Sequence, residues 1–498
     1  MSPSVAAVIL AGGMCVVGLT THIAGQAGVD EPSWKAFLVA AGSDEGAARK
    51  ALDEIERRWR PGYAGMLLDL ARFLPSPGPA GVPAEAAPRF FDDPDTGLAT
   101  APRRDEVSSA AAERPGARAR RRLTTLLEKQ TGQRFGDDLR GWRRWLWSRT
   151  DPPHADYPVF KGELYARIDP GFRTFFPAGV KASIRLNEID WGGVPVNGIP
   201  PLRDPKNTAA AGAGWLRDDH VVFGVTVNGE ARAYPKRILA WHELATDRLG
   251  GVDLTIVYCT LCGTVIPYDS RIGGRHFTFG TSGLLYRSNK LMFDDETRSL
   301  WSALDGAPVV GSLVGTGLRL KTLAVVTTTW GEWRRDHPAT TVLSLDTGFK
   351  RDYGEGAAYR DYFGTDRLMF EVPALDKRLR NKAEVFVVRS DVIGAGSAPV
   401  AIAVDLLRRQ NVFAFDAGGK GFIVATSAGG ANVLYERGAF TFEGRDGSGQ
   451  LRDREGKRWT PMPDALVRET GERLPRVAAH RAFWFGWYAQ HPETVLYR

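Results

Sequence analysis

Two cysteines, Cys259 and Cys262, form a C-x-x-C pair, and they are the residues of this chain best suited to distinctive chemistry. The third and last cysteine, Cys15, lies in an apolar segment near the start of the chain, so a disulfide scaffold is excluded. A C-x-x-C pair supports three readings: half of a metal site, a redox dithiol, or two thiols packed in a core. In an exported protein, two unprotected thiols this close tend to oxidise or to take a metal. A thioredoxin-like dithiol needs its first sulfur at a helix N-terminus, where the dipole lowers the thiol pKa. Cys262 instead leads into Gly263-Thr-Val-Ile-Pro-Tyr268, β-branched and interrupted by proline. That stretch predicts cysteines on a loop between strands, which disfavours a thioredoxin fold.

A structural zinc site usually takes four ligands, and no second C-x-x-C exists. The remaining ligands would be His or acids. His242 is the best candidate, on an expected helix Pro235–Leu249 whose inward face also carries Ile238, Ala245 and Leu249. Taken alone, a hydrogen-bonded core histidine explains it equally well. Glu243, one step round, could orient His242 or act as a base. Met292 would add a thioether, and two thiolates, an imidazole and a thioether form a soft set that favours copper(I). Thr264 and Ser282 are the candidates for supporting contacts around the pair. The acidic run Asp294-Asp295-Glu296 reads as a solvated loop or a helix start. Gly280-Thr-Ser282-Gly283 lacks the spacing of a nucleophile elbow, and no phosphate-binding loop is present.

The elements that must position these residues are strands with turns. Val221–Val227 alternates and runs into Asn228-Gly229, a strong hairpin signal, with Glu230–Tyr234 returning. Pro235 opens the expected helix, and Gly250-Gly251 stops it. Asp253–Tyr258 then forms a strand leading into the cysteines. Arg271–Arg275 is a turn, and His276–Phe279 returns.

Late in the chain a motif repeats. Trp330-x-x-Trp333-x-x-x-His337-Pro338 is matched by Trp484-x-x-Trp487-x-x-x-His491-Pro492, with Val342-Leu343 and Val495-Leu496 downstream. Trp301 and Trp459 correspond more loosely. This implies a duplicated α+β unit, over about 214–346 and 384–498. The second copy has no cysteine, so chemistry is expected in the first and a structural role in the second. The His-Pro pairs read as helix terminators.

Upstream, Ser43–Trp59, Tyr63–Leu74, Arg120–Gln130 and Asp137–Ser148 read as helices of a small HEAT-like module over about 30–150. A flexible linker is expected over about 75–118. It holds much of a basic run, since 101–123 carries seven Arg against three acids. A solvated linker explains that run better than attraction to anionic lipid, and no nucleic-acid motif accompanies it. The uncharged apolar run Val5–Leu19 reads as a signal peptide or membrane anchor within 1–27, which implies export to the periplasm or cell exterior. The net charge is +7, and 56 Gly with 30 Pro suit a turn-rich β protein.

Several stretches together resemble one family: Val225-Thr-Val-Asn-Gly-Glu-Ala-Arg-Ala-Tyr-Pro235, Trp241-His-Glu243, Tyr258-Cys-Thr-Leu-Cys-Gly-Thr264, Phe279-Gly-Thr-Ser-Gly283, Met292-Phe-Asp294 and Ser299-Leu-Trp301. They resemble domain-of-unknown-function family 3179, found in exported prokaryotic proteins. Its pattern carries Pro between the cysteines where this chain has Thr260. The resemblance covers about 200–389 firmly and the rest of the C-terminal half less firmly, and it implies no reaction; the family domain is expected over about 157–390, and the repeat adds a degenerate, structural copy over 384–498. The expected fold class is α+β, a β-rich C-terminal body with a duplicated unit behind a small all-helical module. The expected function is a metal- or thiol-dependent redox site at Cys259, Cys262, His242 and Glu243, with copper or zinc as candidate cofactors. The alternative is a non-catalytic protein that binds a small molecule or another protein, with the cysteines as a structural clip.

Overall fold

The computed structural model describes residues 31–74, 115–394 and 396–498. The expected export segment, Cys15 and most of the expected linker lie outside them. Among the described residues no helix is long and apolar enough to cross a membrane.

The fold is α+β, with helices first and a β-rich body after them. The helices Trp34–Ala40, Glu45–Arg57, Ala64–Phe73, Pro115–Thr131, Leu139–Trp147 and Tyr157–Tyr165 form the N-terminal layer. Asp44, not Ser43, caps the second helix, its carboxylate accepting the Ala47 N–H at 3.0 Å. The end of the basic run is not linker, because the fourth helix starts at Pro115. There Arg120 pairs with Asp137 at 2.5 Å, and Arg122 donates to the Gly42 carbonyl at 3.0 Å.

This layer shares its core with the body. Phe37, Leu67, Phe160 and Tyr165 pack in one cluster with Leu284, Leu291 and Phe293 of the adjoining sheet. The buried Asp190 fastens the seam. It pairs with Arg72 at 2.8 Å and also with Arg143.

The duplicated unit is visible as matched topology. In the first copy the sheet order is Val325–Thr329, Val221–Val227, Glu230–Pro235, Thr341–Leu343, with Asn207–Ala209 added at the edge. In the second it is His480–Phe483, Glu384–Val388, Val400–Ala403, Val495–Tyr497. Pairing along both runs antiparallel, antiparallel, then parallel. Each copy continues from the third strand of that order, Glu230–Pro235 or Val400–Ala403, into a short helix and then a three-stranded meander. Those meanders are Leu244–Leu249, Val252–Cys259, Thr264–Asp269 and Val412–Ala417, Lys420–Thr426, Asn432–Glu436.

The repeated motif forms the same device twice. Trp330–Asp336 and Trp484–Tyr488 are helices that come directly after an edge strand. The buried Trp333 indole N–H donates to the Thr340 hydroxyl at 2.9 Å, and Trp487 donates to Thr494 at 2.9 Å. His337 stacks on Trp333 and His491 on Trp487, with centroids 4.0 and 4.4 Å apart. The looser match holds as well: Trp301 and Trp459 each donate the ring N–H to an aspartate, Asp294 at 3.0 Å and Asp453 at 2.9 Å.

One expected element is wrong. The helix opened by Pro235 covers only Lys236–His242, because Glu243 adopts a left-handed conformation at φ 56°. Leu244–Leu249 is instead a strand, paired antiparallel with Val252–Cys259. Its composition tolerates a helix, and the hairpin closed by Gly250-Gly251 overrides that preference.

The matched Trp–Thr bonds generate a paired prediction. Thr340→Val and Thr494→Val each leave a buried indole N–H without its partner, a loss of about 1–3 kcal/mol. Urea unfolding of the two variants should show comparable losses. A variant as stable as the parent would show that its bond contributes nothing.

Candidate functional site

The cysteines sit at the tip of the hairpin Val252–Cys259/Thr264–Asp269, with Cys259 opposite Thr264. They are joined as a disulfide, with Cα atoms 5.5 Å apart. The hairpin turn that carries them ends on Gly263, whose φ is +61° and whose absent Cβ would lie 2.9 Å from the Phe483 ring. Both cysteines are buried, at 5% and 1% exposure.

The turn is fastened from several directions. The Thr260 hydroxyl donates to Glu243 Oε1 at 2.8 Å. The Tyr362 hydroxyl donates to the Leu261 carbonyl at 2.5 Å. The Cys262 carbonyl accepts from the Phe483 N–H at 2.7 Å and the Thr264 hydroxyl at 3.1 Å. Phe483 belongs to the second copy, so that copy roofs the cysteines. Gly486 in the same roof has no room for a side chain: a Cβ there would lie 2.6 Å from Cys262 Cβ.

Glu243 is the hub. Its left-handed backbone ends the helix and turns the carboxylate toward the cysteine turn. Oε1 also accepts from the Tyr359 hydroxyl at 3.0 Å, and Oε2 accepts from Lys290 Nζ at 2.9 Å. Lys290 is 4% exposed. It reaches inward by strand alternation: Leu291 and Phe293 face the helical layer, so Lys290 and Met292 face the cysteine sheet. A cavity about large enough for one water lies between Cys259, Cys262, Thr264, Asn289 and Lys290. Burial lowers the Lys290 pKa, which the Glu243 carboxylate opposes. Burial raises the Tyr359 phenol well above its ordinary range, and Glu243 adds to that.

The expected metal set is not assembled. His242 Nδ1 bonds the Pro200 carbonyl at 2.8 Å and Nε2 bonds the Tyr353 hydroxyl at 2.5 Å, so neither nitrogen is left for a metal. Glu243 does not orient His242: its carboxylate is bonded to Thr260, Tyr359 and Lys290, and the imidazole to Pro200 and Tyr353. Met292 packs with Val257, Ile266 and Trp301 in a cluster that does not include the cysteines. Among the described residues no group of three or more His, Cys, Asp or Glu side chains could hold a metal ion. Thr264 does join the site, through Cys262 and the cavity. Ser282 does not: its hydroxyl donates to the Leu291 carbonyl at 2.5 Å and accepts from Leu284 N–H at 3.0 Å, locking a β-bulge. Asp294 is no solvated acid, since it is fully buried and binds Thr297 and Trp301.

The residues that sequence reasoning missed are Lys290, Asn289, Tyr359, Tyr362 and Gly486. Lys290 had a signal, its place two residues before the apolar Met292 and so on the same face of the strand.

The family described as "Protein of unknown function (DUF3179)" matches residues 196–494, more than half of the chain. The chain belongs to that family. No curated protein and no solved structure matches it.

The tight roof and the buried histidine can each be tested by stability. Gly486→Ala forces its Cβ onto Cys262 and should destabilise the fold by about 1–3 kcal/mol, read by urea unfolding. An unperturbed midpoint would mean that the roof yields. Burial also lowers the His242 pKa from 6.5 to about 4. Between those values the unfolded chain holds a proton that the folded chain lacks. The contribution of His242 to stability is therefore full above about pH 6.5 and falls as pH drops toward about 4, by up to about 3 kcal/mol. His242→Gln should flatten that decline, measured by unfolding at neutral pH and at about pH 4.5. An equally steep decline in the variant would assign it to other groups.

Proposed function

We propose that Cys259 and Cys262 form a reversible dithiol–disulfide site in an exported protein. One observation carries the reading: the disulfide-bonded cysteines and the buried Lys290, whose ammonium is paired with Glu243, line the same small cavity. A buried ion pair costs several kcal/mol per ion in desolvation, and a mere clip has no use for one. On reduction, a cation beside a nascent thiolate favours the thiolate.

The reaction balances with a small dithiol as reductant. Its thiolate attacks one cysteine sulfur, the S–S bond breaks, and the other cysteine leaves as a thiolate beside Lys290. The second thiol of the reductant then breaks the mixed disulfide and releases the first cysteine. Two electrons and one proton pass from the dithiol, attacking as its monothiolate, to the protein, which keeps one cysteine as a thiolate. The reverse oxidises a dithiol. Because both sulfurs are buried, exchange requires the cover formed by Tyr359, Tyr362 and Phe483 to part.

The uncharged run Val5–Leu19 supports export, and an oxidised pair suits a compartment outside the cytosol. The copper or zinc reading has less support, since His242 and Met292 would have to leave their present partners. The clip reading is the rival. Against it, closing so short a loop contributes only about 2 kcal/mol, and the turn is already held by its own hydrogen bonds.

The test is a titration of the folded chain in dithiol buffers of defined potential, with alkylation to count thiols and circular dichroism to follow the fold. A reversible two-electron transition in a folded protein is expected. Thiols that appear only as the chain unfolds would make the disulfide a clip. Cys262→Ser should abolish the transition.

A further inference from the structure

Glu243 and Lys290 are both buried, and both are bound into the cysteine site, yet they carry opposite charges. Glu243 holds the turn through Thr260 and holds Lys290 through its other oxygen. Lys290 in turn lines the cavity with both sulfurs. We propose that Glu243 is a positioning residue that holds Lys290 over the cysteine cavity and partly cancels its charge, so that the two residues set the ease of reduction in opposite directions. This rests on the redox reading of the site.

The physical reason is the charge that reduction creates. The oxidised pair is neutral. Reduction places negative charge on a sulfur in a poorly solvated space, where charges a few ångströms apart interact strongly. A positive neighbour favours that state and a negative one opposes it. The bonds from Thr260 and Tyr359 to Glu243 Oε1 keep the carboxylate on this side of the turn. Left without them, the side chain could follow Lys290 away from the sulfurs. Glu355 and Glu384 also act on Tyr258 beside Cys259, and both are constant across the variants below. A difference in sign between those variants therefore cannot come from them.

A structural role alone would make any substitution loosen the turn in the same sense. The charge role predicts opposite signs, and that is the discriminating readout. In the full-length chain at fixed pH, the equilibrium with a dithiol buffer is measured for the parent, Glu243→Gln and Lys290→Met. Glutamine keeps an acceptor for Thr260 and Tyr359 while removing the charge. Methionine keeps much of the chain length of Lys290 while removing its charge. Glu243→Gln should favour the reduced form by about tenfold, a potential about 30 mV less negative for this two-electron couple. Lys290→Met should shift the equilibrium by a similar factor toward the disulfide. Thr260→Val removes one donor and no charge, and should move the equilibrium far less than either. If one charge variant does not fold, Glu243→Met or Lys290→Gln takes its place, and the two signs are compared as before.

Shifts in the same direction, or none, overturn the inference. If the parent reduces only on unfolding, the redox reading itself fails and takes this one with it. If the parent titrates reversibly and neither charge variant moves, the redox reading stands and the role given to Glu243 and Lys290 falls.

Discussion

The hydrogen bond from the Phe483 N–H to the Cys262 carbonyl ties the roof of one copy to the turn of the other. The reciprocal contact exists too. Glu332, on the Trp330 helix of the first copy, accepts from Ser427 Oγ at 2.8 Å and from the Gly429 N–H at 3.1 Å in the second copy's corresponding turn. Each copy therefore covers the other's meander. The edge strand His480–Phe483 packs against Thr264–Asp269, and Val325–Thr329 packs against Asn432–Glu436. Neither copy leaves those edges open, and an open edge is a template for aggregation. The two copies depend on each other, and the second copy is part of the cysteine site.

Within this mutual cover the two helices differ in what they place over the turn. The first helix reads Trp330-Gly-Glu332-Trp333 and the second reads Trp484-Phe-Gly486-Trp487. At the third place a carboxylate fills the space over one turn, and its oxygens satisfy the turn's donors. At the same place in the other helix there is only a glycine, and Cys262 occupies the space. A carboxylate cannot share that volume with the disulfide. The duplicated frame thus carries one filled position and one made over to sulfur. The absence of cysteines in the second copy accords with that exchange and says nothing of its importance to the first.

Local signals in the sequence predicted much of this. Asn228-Gly229 specified its hairpin through turn geometry, and Gly263-Thr-Val-Ile-Pro predicted a strand after the cysteines. The Trp–His-Pro repeat reported a duplicated topology because the buried indole, its threonine partner and the stacked histidine form one compact unit. The failures were long-range. Nothing near Glu243 announces a left-handed residue there, since glutamate is an ordinary helix former and this conformation is costly for it. With the helix extended past that point, His242 and Glu243 were placed together and Lys290 was overlooked. The partners that define the site, Lys290, Tyr359, Tyr362 and Gly486, come from distant segments that meet only in the folded chain.

The strain at Glu243 and the buried charge beside it bear on what the site is for. A left-handed non-glycine residue costs of order 1–3 kcal/mol and persists where the surroundings fix it. Here it is fixed by five bonds: the backbone N–H donates to the Leu239 carbonyl, the backbone carbonyl accepts from the Tyr258 N–H, and the carboxylate accepts from Thr260, Tyr359 and Lys290. The three carboxylate bonds also place a charge or a cover against the disulfide. A turn that only needed stapling would be served as well by apolar neighbours, which carry no desolvation cost. The arrangement instead keeps a cation and an anion dry, close to two sulfurs that are neutral together and charged apart. On the proposed redox reading, that difference in charge between the two states is what these groups would act on.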